Sequence, residues 1–66
     1  MTLLKTIENL VQMGYNVSFN SEGFQFSIIL THREEKEESW MPISDHFYES
    51  RIVDCLDFMY KKMLDK

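Results

Sequence analysis

The sequence predicts an α+β fold of order α-β-β-β-α, a small antiparallel sheet with two helices packed on one face. Three observations carry that expectation. Apolar residues recur at helical spacing at both ends of the chain, they alternate with polar residues in the middle, and turn-forming or charged residues separate the blocks.

Thr2 stands where a helix N-cap is wanted. Leu3, Leu4, Ile7, Leu10 and Val11 then follow the i, i+3, i+4, i+7, i+8 spacing of one buried stripe, with Lys5, Glu8, Asn9 and Gln12 on the other side. Gly14 sits where a left-handed helix stop belongs, so the first helix spans about residues 3–13. Tyr15, Val17 and Phe19 alternate with Asn16, Ser18 and Asn20, the period of a half-buried strand. Residues 20–23, ending in Gly23, form a turn, and residues 24–30 fold back antiparallel with Phe24, Phe26, Ile28 and Leu30 on one face.

An isolated hairpin is marginal in water, so a third strand over Ser39–Ile43 is expected after the charged run, with Pro42 suited to an edge. Ser44 or Asp45 caps a last helix over about residues 46–64. Tyr48, Ile52, Cys55, Leu56, Met59 and Met63 form its main stripe, and Asp57 and Lys61 are placed for an ion pair.

Residues 1–66 make a single domain. A domain of this size hides only about 60% of the surface its unfolded chain exposes, so its core is thin. With 44% hydrophobic residues, one Pro and two Gly, the chain is too apolar and too poor in breakers to be disordered. One cysteine, Cys55, cannot form an internal disulfide; on the buried stripe it reads as a small apolar group rather than a nucleophile. No apolar run reaches the roughly 20 residues of a membrane span, and residues 1–5 do not begin a signal peptide; both point to the cytoplasm and away from membranes.

The net charge of −4 and scattered basic residues argue against gripping a phosphate backbone; no nucleic-acid partner is expected. His32 and His46 lie too far apart for paired zinc ligands and read as solvated side chains, so no metal or other cofactor is expected. There is no Gly-rich phosphate cradle, nucleophile elbow or His-Glu-x-x-His pair, and Glu34, Glu35, Glu37 and Glu38 fall on what reads as a mobile loop. The chain is read as a non-enzyme with no catalytic residues.

The run Thr31-His-Arg-Glu-Glu-Lys-Glu-Glu-Ser39 leads directly into Trp40 and Met41. Its bland reading is a solvated turn whose charge discourages edge-to-edge pairing of sheets. Its functional reading is a contact surface for a protein partner, formed by Trp40, Met41, Glu34, Glu35, Glu37 and Glu38, since exposed Trp is a frequent binding anchor. Five Phe, three Tyr and one Trp are also a heavy load for two short helices to cover. Phe19, Phe24, Phe26 and Phe58 are expected in the core, and some of Trp40, Phe47, Tyr48, Tyr15 and Tyr60 at the surface.

The element order is similar to that of double-stranded RNA-binding domains. That family presents lysines at the start of its last helix, whereas residues 44–50 here, Ser-Asp-His-Phe-Tyr-Glu-Ser, carry two acids and no Lys, so the resemblance stops at topology. From Leu3-Leu-Lys-Thr-Ile7 through Gly14-Tyr-Asn-Val-Ser-Phe19 to Trp40, the chain also resembles in style the small acidic accessory proteins of bacteriophages. That resemblance implies a protein that binds and modulates a host or phage protein. Two alternatives stand beside it: an acidic mimic of nucleic acid that blocks a DNA-handling protein, and a structural homodimer within a larger assembly.

Overall fold

The computed structural model describes residues 2–22, 25–43 and 48–65. It has the predicted order: α1 (Leu3–Gln12), β1 (Tyr15–Glu22), β2 (Gln25–His32), β3 (Glu38–Ile43) and α2 (Glu49–Leu64). The sheet is antiparallel throughout, in the order β1-β2-β3, so β2 is central and β1 and β3 are edges.

Thr2 caps α1 by accepting from the Lys5 amide at 3.2 Å, and Met13 closes the helix. Gly14 follows at φ +100°, a conformation in which any Cβ is strained. The two helices run side by side in the same direction. At their N-terminal ends the Leu3 amide donates to Glu49 Oε1 at 2.8 Å, and at the far ends the Tyr60 hydroxyl donates to Met13 Sδ at 3.6 Å. Glu49 thus places one carboxylate where the positive ends of both helix dipoles lie. α1 packs on β1, while α2 packs on both β2 and β3.

Several boundaries differ from the sequence reading. The strands run on into polar residues, because a ladder needs backbone groups rather than apolar side chains. Asn20, Ser21 and Glu22 belong to β1, Thr31 and His32 to β2, and Glu38 to β3. Residues 23 and 24 lie outside the described residues, as does the anticipated cap at Ser44 or Asp45. α2 starts at Glu49 after an extended Tyr48 that makes no side-chain cap bond.

The core holds Leu10, Tyr15, Ile28, Leu30, Ile43, Ile52, Leu56 and Met59. It is more aliphatic than expected. Phe19, Phe26 and Phe58 are exposed, whereas Tyr15 is buried. Length explains the first two. α1 spans about 15 Å, and β1 about 27 Å. A helix that doubles back from Gly14 therefore ends before it covers the hairpin end of the sheet. Phe58 falls off the line Ile52, Leu56, Met59 that α2 turns toward the strands. On α1 the buried face is also rotated. Thr6 is enclosed, its hydroxyl donating to the Thr2 carbonyl at 2.9 Å, while Leu4 and Val11 are exposed.

A candidate partner-binding face

Both helices lie on one side of the sheet, and among the described residues no element covers the other side. Strand alternation and register decide what each side presents. Toward the helices point Tyr15, Val17 and Phe19 of β1, Ile28 and Leu30 of β2, and Met41 and Ile43 of β3. The open face carries three rows across the strands: Asn16, Thr31 and Glu38; Ser18, Ile29 and Trp40; Asn20, Ser27 and Pro42.

Trp40 is 57% exposed in the middle row, beside a half-buried Ile29. Apart from Glu38, those three rows have no formal charge. An indole set among neutral hydroxyls and amides offers apolar area with hydrogen-bonding groups around it, the make-up of a recognition surface.

The six residues singled out from sequence therefore divide. Trp40 and Glu38 share the open face, whereas Met41, one residue along the strand, points the other way and packs against the core. Glu34 and Glu35 are exposed on the β2–β3 turn at the end of the face, and Glu37 is half-buried beside them. Ile29 belongs to the face and was missed. Its signal was the unbroken run Ile28-Ile29-Leu30, which puts apolar side chains on both sides of a strand.

The turn is braced by hydrogen bonds. The His32 amide donates to the Glu37 carbonyl at 2.8 Å and the Lys36 amide to the His32 carbonyl at 2.7 Å, with Lys36 at φ +57°. The Glu35 amide donates to His32 Nδ1 at 3.1 Å. His32 is thus half-buried and bonded, its ring edge-on to Tyr15 at 4.8 Å, rather than solvated; His46 lies outside the described residues. Arg33 braces the turn from below. Its guanidinium donates to the carbonyls of Val11 (2.7 Å) and Tyr15 (2.8 Å) and to Asn16 Oδ1 (3.0 Å), and its amide to the Gly14 carbonyl (2.9 Å).

Tyr15 lies between His32 and Tyr60, whose ring stands edge-on at 5.4 Å. Burial pushes its phenol above the ordinary 10.0, and negative charge on Tyr60 and Glu35 adds to the rise. The folded chain therefore holds this proton more tightly than the unfolded chain. The contribution is complete below about pH 10 and is lost as pH climbs through the raised value. Denaturation midpoints should hold level from neutrality to about pH 9 and fall beyond about pH 10. Tyr15→Phe should remove part of that alkaline fall; an identical fall in the variant would assign it to other groups.

A concavity of about 350 Å³ lies between the helices, its lining including Leu10, Leu56 and Tyr60 together with Asn9, Asp54 and Asp57. Asp57 is paired with Lys61 at 3.0 Å. Among the described residues, no three His, Cys, Asp or Glu side chains gather closely enough to hold a metal ion, and no helix is long and apolar enough to cross a membrane. Compared with protein-family models, with curated proteins and with solved structures, the chain matches none.

Proposed function

We propose that this chain is a small non-catalytic interaction module that binds a protein partner through the open face of its sheet. Trp40 is the anchor. The single observation that carries this reading is the exposure of that indole on a face no helix covers. Covering roughly 100 Å² of apolar ring is worth about 2–3 kcal/mol, more than any other single side chain of that face can offer. Glu38, with Glu34 and Glu35 at the end of the face, favours a partner whose rim is basic.

Imitation of nucleic acid is the weaker reading, because Arg33 and Lys36 stand among the same carboxylates and dilute their field.

Affinity capture from the native host with the parent chain, followed by titration of the captured partner, tests the proposal. Trp40→Ala should weaken binding at least about tenfold, the scale of a hot-spot truncation, with an unaltered fold by circular dichroism. The only indole in the chain should also emit as a wet Trp when free and shift to the blue on binding. Full affinity in the variant would remove this face from the interaction.

A further inference from the structure

We infer that the outer edge of β1 accepts an extended peptide segment of a partner as a fourth strand, laid beneath the overhanging flank of α1. The two edges of the sheet are not equivalent. In an antiparallel ladder alternate residues turn their backbone groups toward and away from the neighbouring strand. His32 spends its amide and carbonyl on the β3 side, so its partner Tyr15 directs its own outward, where Arg33 meets the carbonyl. By the same count Val17, Phe19 and Ser21 face outward from β1, and Glu38, Trp40 and Pro42 face outward from β3.

The β3 edge is therefore interrupted at Pro42, which has no N–H to offer. The β1 edge is guarded at its start, where the Arg33 guanidinium holds the Tyr15 carbonyl, but over Tyr15–Glu22 there is no Pro and no Lys, and the only formal charge within the strand is the terminal Glu22. Natural edges left open are normally blunted by these very devices.

The position of α1 adds the second requirement. α2 straddles β2 and β3, while α1 packs on β1 and, among the described residues, not on β2. Packed helices lie about 8–10 Å apart. Strands are spaced at about 4.8 Å. The axis of α1 must then run above or outside β1. One flank of α1 carries Leu4, 69% exposed, and Val11, 41% exposed, with a half-buried Ile7 between them; at its N-terminal end Leu4 and Ile7 also border a hollow with Glu49 and Ile52 of α2. A strand added at this edge would lie below that flank.

These facts specify the occupant. It is extended, because the edge offers a ladder. Alternate side chains are apolar, to meet Leu4, Ile7 and Val11; the others are polar, continuing the face of Asn16, Ser18 and Asn20. Acidic segments are disfavoured by the net charge of −4. A second folded copy does not fit. Pairing β1 with β1 would bring two α1 axes to about 5 Å or less, inside the helix contact distance.

The test uses an array of synthetic seven-residue peptides alternating Val or Leu with Thr, Gln or Lys, each beside a scramble of the same composition. Alternating peptides should bind better than their scrambles and slow hydrogen exchange at the Val17 and Ser21 amides. N-methylation of the peptide backbone should abolish binding at positions of one parity and be tolerated at the other. The surface double variant Leu4→Lys with Val11→Lys should weaken binding at least fivefold. Trp40→Ala should leave it unchanged, which separates this edge from the open face. Equal binding of scrambles, protection confined to β3, or full affinity in the Leu4/Val11 variant would each overturn the inference.

Discussion

Replacing Leu56 with Ala should cost about 3 kcal/mol of folding stability, whereas replacing the larger Phe58 with Ala should cost less than about 1 kcal/mol. Leu56 is fully enclosed, at 0% exposure, in the cluster that joins both helices to the sheet. Removing its branched end leaves a cavity that neighbours on three elements cannot all collapse into. Phe58, 55% exposed, keeps most of its ring in water and has the Lys62 ammonium 5.9 Å from its centre. That contact is worth at most about 1 kcal/mol at a solvated site. A domain under about 70 residues rarely has more than 3–5 kcal/mol in hand, so the Leu56 variant should be largely unfolded near 37 °C. Urea titrations of both variants decide the matter. A Phe58→Ala cost equal to or above that of Leu56→Ala would mean that α2 is rotated from the orientation described.

That contrast shows where sequence patterning stops. The element order was legible because each segment has its own period, helical over Leu3–Val11 and Ile52–Met63 and alternating over Tyr15–Phe19. The rotation of each helix was not. The apolar positions of α1 cover a broad arc, and which part is buried depends on having β1 below, α2 on one side and no strand on the other. Thr6 can join the buried part because its hydroxyl bonds one turn back, leaving Leu4 and Val11 outside. A side-chain tally cannot show that.

The candidate face was half legible for a similar reason. Trp40 stood out as the lone indole beside a charged run, but assigning Met41 to the same contact overlooked the strand alternation that separates neighbours. The charged run also hid the ends of β2 and β3, since Thr31, His32 and Glu38 look like loop residues while their backbones complete the ladder. The lack of Pro and Lys over the eight residues of β1 was readable in principle. Its significance required knowing that β1 is an edge at all.

Arg33→Ala should cost about 2–3 kcal/mol, and Arg33→Lys should recover less than half of that loss. Nothing in the sequence distinguishes this residue from its charged neighbours, yet its guanidinium joins three parts of the chain. One Nη nitrogen holds the Val11 carbonyl at the C-terminal end of α1, and the other holds the outward carbonyl of Tyr15 and the side chain of Asn16. Those carbonyls lie at the negative end of the α1 dipole and at the start of an edge strand, where orphan acceptors gather. A planar fork reaches all of them at once; an ammonium on a single stem can satisfy one site but not span the set. For a chain of this size a loss of 2 kcal/mol corresponds to roughly 8–16 °C in midpoint temperature, well within the reach of a thermal melt. Full stability in the Lys variant would show that positive charge alone suffices and that the fork geometry is incidental. An unchanged Ala variant would mean that the turn and Gly14 hold together through the Arg33 backbone amide alone, which the substitution leaves in place.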